Sequence, residues 1–343
     1  MRLHKFKNVD AFVALDLAGA AAASGPVRWA RKILQGGAKD LARSQTYTYA
    51  ALQMRRGGAS AGINAEAPGR GEAVAAFVAE AAALVADGTY LPDAAKGVGE
   101  DDLAPLRDGD ARNVSRLGAF AAACDGVSAA AAADAAVGLD GATAVIEGLS
   151  DTGSALATEV AARGGRVVAV SSAEGCMSTS GGFDAAALAQ AWADHGDKAL
   201  SALAGGDGNL DEPGTLWGKG ADVVFAGSRM GVVHHGVAEG LECRVLVPSG
   251  RLAYTSKALA VCRRKGVAAI PDFAALAGST VAAWSNPDVG DDDVRDEVSR
   301  SVTALIDEAL TSDDGPFLGA CYAAEAFLST WQDELPFGRP LAS

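Results

Sequence analysis

Apolar residues recur along this chain with two different spacings. Phe12-Val13-Ala14-Leu15-Asp16-Leu17 is a short run that reads as a strand, and Ala61–Ala65 reads the same way. Between them, Ala38–Ala51 carries a helical pattern after a polar, Gly-rich stretch. Val74, Phe77, Val78, Ala81 and Leu84 return every three or four positions. That spacing predicts a helix over Glu72–Ala86 with one buried face. Ala111–Cys124 and Ser128–Val137 read as two consecutive helices.

From residue 142 the pattern becomes a regular alternation. Ala142–Gly148 is an apolar strand running into glycine, Ser154–Arg163 is helical, and Gly164-Gly165 ends that helix. Val167–Val170 is a second buried strand, which completes a βαβ unit of about 30 residues. Asp222–Ala226, Arg244–Val247 and Val267–Ile270 are further strands, with a helix at Ser256–Lys265 and Pro271 stopping the last strand. Asp292–Leu310 and Phe317–Leu335 are helical. Short apolar strands alternating with helices imply a parallel sheet covered on both faces.

The expected fold class is therefore α/β with two domains. Residues 1–110 are expected to form an α/β domain. Residues 111–284 are expected to form a Rossmann-like, doubly wound domain, and residues 285–343 to be C-terminal helices that pack back on the first domain.

Composition narrows the function classes. Apolar residues make up 49% of 343, enough for two cores, and aromatics only 6%, so those cores are built from small side chains. The net charge of −14 argues against nucleic acid and anionic membrane surfaces as partners. No run of about 18 uninterrupted apolar residues predicts a membrane span. Met1–Lys7 is basic without a following apolar h-region, and Ala18–Ala23 is too short and is interrupted by Gly19, so a cytoplasmic protein is expected. Cys124, Cys176, Cys243, Cys262 and Cys321 are odd in number and widely spaced, which fits free thiols and no metal site. His234-His235 are adjacent and diverge on a helix, so no shared metal is expected there either.

Four segments in order resemble the glutamate/leucine/phenylalanine/valine dehydrogenase family. Leu41–Thr48 resembles its L-A-R-x-M-T-Y-K, and Gly57-Gly58-Ala59-Ser60 its G-G-A-K. Gly148-Leu149-Ser150-Asp151-Thr152-Gly153 stands in its G-x-G-N-V-G turn, and Pro271–Gly278 in its P-D-I-L-A-N-A-G. The resemblance implies a substrate domain, a nucleotide domain and a cleft between them that takes a small molecule. It also implies oxidative deamination of an L-amino acid with NAD or NADP, in a homo-oligomer formed through the substrate domain. That chemistry needs a lysine of lowered pKa, an acid that shuttles protons and a cation for the substrate carboxylate.

At the matching positions this sequence departs from the pattern. The carboxylate-binding lysine is Thr48 and the catalytic lysine is Ser60. The catalytic aspartate falls on Ala95 without gaps, or on Asp93 with a shift of two. In Gly25-Pro26-Val27-Arg28-Trp29-Ala30, the paired glycines of G-P-x-x-G-G are Trp29 and Ala30, and Trp29 is expected to fill substrate space.

On the cofactor side Gly148 and Gly153 remain, Ser150 replaces the middle glycine, and Asp151 sets a carboxylate beside the helix end that would hold pyrophosphate. The ribose-reading acid is Ser172. The family's two asparagines are Arg251 and Leu276. Substitute groups are Arg28 and Arg251 as carboxylate clamps and Asp93 or Asp272 as acid or base. Ser228-Arg229 forms a turn with anion-binding potential. Gly36-Gly37-Ala38-Lys39 repeats the G-G-A-K letters but precedes the T-Y segment, and reads as a loop.

The expectation is a family member that is not an ordinary deaminase. Two alternatives stand beside it: an NAD(P)-dependent oxidoreductase on an unusual substrate, and a non-catalytic regulatory or interaction subunit.

Overall fold

The computed structural model describes residues 1–17, 20, 22–205 and 210–342; part of the Ala18–Ala23 stretch lies outside them. The N-terminal region holds β1 (Arg2–Lys5), β2 (Ala11–Leu15), β3 (Ala23–Ala30), α1 (Gln35–Ala51), β4 (Ala59–Asn64), α2 (Arg70–Ala86), β5 (Tyr90–Ala94) and the short α3 (Glu100–Leu103). Its five strands run in the order β1-β2-β4-β3-β5. β2 is antiparallel to both β1 and β4, and β3 is parallel to β4 and β5. α2 buries Val74, Phe77 and Val78 against one face of this sheet, and α1 covers the other.

β3 and β5 were not evident from the apolar pattern. Gly25 and Pro26 interrupt β3, but the site needs glycine: a Cβ at Gly25 would lie 1.9 Å from the Ala59 carbonyl oxygen. Backbone approach sets that residue, and periodicity cannot reveal it.

The second region follows the expected alternation. It contains α4 (Ala119–Val137), β6 (Thr143–Glu147), α5 (Asp151–Ala162), β7 (Arg166–Ser171), β8 (Cys176–Ser178), α6 (Ala185–His195) and α7 (Ala199–Leu203). After these come β9 (Val223–Ala226), α8 (His235–Gly240), β10 (Val245–Pro248), α9 (Ser256–Lys265), β11 (Ala268–Ala269), α10 (Asp272–Ala275) and α11 (Gly278–Ala283). The strand order is β11-β10-β9-β6-β7-β8, all parallel except the edge strand β8. Strand order reverses at β6, so the crevice at its C-terminal end is where an open α/β sheet takes ligands.

The two helices expected over 111–124 and 128–137 are instead a 3-10 turn at Val114–Arg116 and one helix, α4. Gly126, which lies between the two expected spans, is a point of close approach. A Cβ there would lie 2.8 Å from the Ala155 Cβ and from the Leu156 amide nitrogen of α5. α4 is long and apolar enough by length and composition to cross a membrane, and half of that apolar window is buried inside the fold.

α12 (Asp291–Leu310) and α13 (Pro316–Leu328) close the chain. α13 stops at Leu328, short of the expected Leu335, and the tail beyond it runs back to bridge Ala342 to Thr255. α13 packs on α1, where the Tyr47 hydroxyl donates to Glu325 at 3.0 Å. α1 is thus the helix on which the second region rests. Ser44 donates to Asp272 at 2.6 Å, Gln45 to Thr280 at 3.1 Å, and the Trp284 indole to the Tyr49 hydroxyl at 3.0 Å.

Candidate functional site in the interdomain cleft

A cavity of about 280 Å³ opens where the two regions meet. From one side Ser24, Gln45, Tyr49, Asp93, Ala94 and Ala95 line it, and from the other Asp125, Thr152, Arg251, Ser279, Thr280 and Trp284. Glu100 and Arg112 complete its charged wall.

Most of those charges already have partners. Arg112 pairs with Asp93, and it donates to Asp110 at 2.7 Å and to the Pro92 carbonyl at 3.0 Å. Arg107 pairs with Glu100 at 2.5 Å and with Asp110 at 3.0 Å. Burial alone would raise the Asp110 carboxyl; the hydrogen bonds and charge of Arg112 outweigh it and hold the group below the usual carboxylate range. Burial pushes the Tyr49 phenol up, so it acts as a neutral hydroxyl between Ser24, at 2.6 Å, and Trp284.

Arg251 crosses the cleft. Its guanidinium donates to the Thr48 hydroxyl at 3.0 Å and to the Leu276 carbonyl at 3.0 Å. A cation carried by the second region therefore stands at the position where the resemblance implies a lysine on α1. Thr48 is buried and also donates to the Ser44 carbonyl at 3.2 Å. Ser60 is fully buried and donates to the Pro26 carbonyl at 3.2 Å. Neither Thr48 nor Ser60 lines the cavity, whereas Asp93 and Ala95 do. Asp272 sits behind the wall, 3% exposed, accepting from Ser44 and from the Leu252 amide, and burial raises its carboxyl.

Two expected site residues lie elsewhere. Trp29 does not line the cavity; its indole lies against Gly97. Side chains alternate along a strand, so Trp29 leaves β3 on the face opposite Ser24 and Pro26, which do line it. Arg28 shares their parity but lies further along β3, where its guanidinium reaches only the Met230 sulfur at 3.7 Å. Its Nε and Nη2 are buried without a partner among the described residues, and burial lowers its pKa.

Asp125 was not singled out in the sequence. It projects from α4 into the cavity and accepts from the Ser279 amide at 2.7 Å. It makes no ion pair among the described residues. Burial raises its pKa to about 6, with the Arg251 charge opposing the shift. The available signal was a lone carboxylate in the otherwise apolar first half of α4.

The turn after β6 is where the resemblance places a dinucleotide's pyrophosphate. Gly148 has φ +90, and a Cβ there would lie 2.6 Å from the Ser228 amide nitrogen. A Cβ on Gly153 would lie 3.1 Å from the Gly148 carbonyl oxygen. The turn's own packing thus accounts for both retained glycines. The Ser150 hydroxyl caps α5 by accepting from the Gly153 amide at 3.1 Å. Asp151 accepts from the Trp192 indole at 2.6 Å, and Ser172 accepts from the Glu174 amide at 3.2 Å. The Gly227 and Ser228 amides both donate at 3.0 Å to the buried Glu147 carboxylate, which also takes the Ser228 hydroxyl. Thr152 faces the cavity. The side chains of Ser150, Asp151, Ser172 and Ser228 are thus engaged within the protein, and the Asp151 carboxylate at the helix end disfavours a dinucleotide's pyrophosphate there.

The histidines serve local structure: His234 accepts from the Gly236 amide at 3.2 Å, and His235 faces Glu239 at 3.4 Å. All five cysteines are free thiols. Among the described residues no group of three or more His, Cys, Asp or Glu side chains is arranged to hold a metal ion.

A two-region α/β chain with a polar cleft beside the switch point of a parallel sheet has the architecture of a two-domain dehydrogenase. The sequence profile of the Glutamate/Leucine/Phenylalanine/Valine dehydrogenase family matches residues 117–301, more than half of the chain. The chain belongs to that family, and its homologues in the family are NAD(P)-dependent.

Its fold is that of solved family structures. The hetero-hexameric glutamate dehydrogenase from Thermus thermophilus, in its Leu-bound form, is similar with a TM-score of 0.77 at 21% identity, over 92% of this chain and 83% of that one. Plasmodium falciparum glutamate dehydrogenase gives a TM-score of 0.76 at 15% identity, over 94% and 79% of the two chains. L-tryptophan dehydrogenase from Nostoc punctiforme gives 0.63 at 15% identity, over 96% and 95%.

Proposed function

We propose that this chain keeps the family's interdomain cleft as a small-molecule site but does not carry out lysine-dependent oxidative deamination of an amino acid. The observation that carries the reading is the lining of the cleft. Among the described residues no lysine and no histidine is part of it. The two positions where the resemblance implies lysines are hydroxyls buried in the substrate domain and hydrogen-bonded to backbone carbonyls. A hydroxyl with an ordinary pKa neither polarises water as an ammonium does nor neutralises a carboxylate.

Incubating the purified chain with NAD or NADP and glutamate, leucine, phenylalanine or valine tests this, with reduced nicotinamide followed by absorbance. We expect no substrate-dependent signal. Robust turnover of any of the four would overturn the reading. Calorimetric titration with NAD, NADH, NADP and NADPH is expected to show no micromolar binding, because Asp151 stands where pyrophosphate would sit.

The cross-cleft placement of Arg251 supports a second reading, an oxidoreductase on an unusual substrate. Micromolar binding of a dinucleotide would favour it over the first.

A further inference from the structure

The chemistry implied by the family resemblance needs cations in the cleft, but the groups a ligand can reach here are mainly acidic. Two guanidiniums line it, and the Arg112 side chain is 1% exposed, spent on Asp93, Asp110 and the Pro92 carbonyl. Among the described residues Arg251 is the remaining cation of the lining, anchored through both Nη atoms. Facing it are three carboxylates. The side chains of Asp93 and Glu100 are 36% and 33% exposed, and each already has an arginine. Asp125 accepts from the Ser279 amide at 2.7 Å and feels the Arg251 charge, but makes no ion pair among the described residues.

The wall between them is aromatic, formed by Tyr49 and Trp284. Behind Trp284 the Arg56 guanidinium stacks 3.4 Å from the ring centroid, so this indole already holds one organic cation on its π face. An entering carboxylate would meet Asp125, which has no ion pair among the described residues, beside Asp93 and Glu100, whose charges their arginines offset. An entering ammonium would give Asp125 its missing partner.

We propose that the ligand of this cleft is a small organic amine, bound as its cation with the ammonium on Asp125, and that a carboxylate on the ligand weakens binding. The proposal rests on the reading that the cleft takes a small molecule, and it names the class. The cavity is at the small end for a ligand site.

Calorimetric titration of the full chain with four compounds of one shape tests the charge preference: phenethylamine, L-phenylalanine, phenylpyruvate and 2-phenylethanol. Phenethylamine is expected to bind at least about tenfold more tightly than phenylalanine, with phenylpyruvate weakest. A matched aliphatic set of 3-methylbutylamine, L-leucine and 4-methyl-2-oxopentanoate repeats the comparison for a second shape. Asp125→Asn is expected to weaken the amine by about tenfold and 2-phenylethanol by less than about twofold. Asp125→Ser, which removes the same charge with a smaller side chain, is expected to give the same contrast should Asp125→Asn fold poorly.

Tighter binding of the amino acid or the 2-oxo acid than of the amine in both sets overturns the proposal. So does an absence of amine binding, or an equal loss of amine and alcohol in the variants. Turnover of an amino acid with NAD or NADP would remove the reading of the previous subsection, yet the amine preference would still be decided by these titrations alone.

Discussion

Asp125 is a carboxylate held against its own ionisation. Burial moves its pKa from the ordinary 3.8 to about 6, and neither its one amide donor nor the Arg251 charge fully offsets this. A carboxyl whose folded pKa lies above its unfolded value binds its proton more tightly in the folded state. Its contribution to stability is therefore complete below about pH 3.8 and is lost as pH rises through about 6. Asp125→Asn should remove that loss. The stability of the variant relative to the parent is expected to climb between about pH 4 and 6.5, by at most about 3 kcal/mol, and then level off. Urea denaturation across that range measures it, and a difference independent of pH would refute the assignment. Asp110 drifts the other way, since its lowered pKa supplies stability that disappears on acidification. Only the difference between variant and parent isolates Asp125.

Among the elements, α4 shows how small residues substitute for periodicity. Its buried stretch is Gly126, Val127, Ser128 and five consecutive alanines, so it carries almost no contrast between faces. What holds it is proximity to α5 and to the start of α11, where a Cβ at Gly278 would lie 2.0 Å from the Cys124 carbonyl oxygen. Gly126→Val is therefore expected to force α4 and α5 apart and destabilise the chain by about 1–3 kcal/mol despite the gain in helix propensity. A fall in the denaturation midpoint checks this, and an unchanged or raised midpoint would show that the two helices have slack. The same contact explains why the sequence suggested two helices there. A glycine in a helical pattern reads as a break unless the neighbour it admits is known.

At the scale of the molecule, the C-terminal tail ties the two regions together from behind the cleft. Arg43 on α1 is held by both oxygens of the buried Asp16, at 2.7 and 2.8 Å, and it donates to the Phe337 and Gly338 carbonyls. The tail then reaches the second region at Thr255. Arg43→Ala would leave the Asp16 carboxylate buried without its cation, a loss of about 3–5 kcal/mol. It would also free residues 332–342. Hydrogen exchange should rise in that segment and at Thr255 in the variant. Protection retained along the whole tail would mean that Arg43 does not anchor it.

Much of this architecture was legible in the order of residues, because one-dimensional rules act locally. The βαβα alternation from residue 142 onward, the amphipathic α2 and the glycine turn after β6 each follow from spacings within about fifteen residues. That Thr48 and Ser60 stand where the resemblance implies lysines is a matter of identity and needs no coordinates. The tertiary structure decided what depends on residues far apart meeting. Arg251 comes to rest on Thr48, 203 positions away. Trp29 turns out of the cleft because of strand parity, and Arg28 lies beyond its end. Asp125 is left without an ion pair among the described residues because Arg251, whose charge reaches it, is anchored on Thr48 and Leu276. Charge and pKa at a site are sums over neighbours in space, and a linear sequence carries each term without saying which ones will be added.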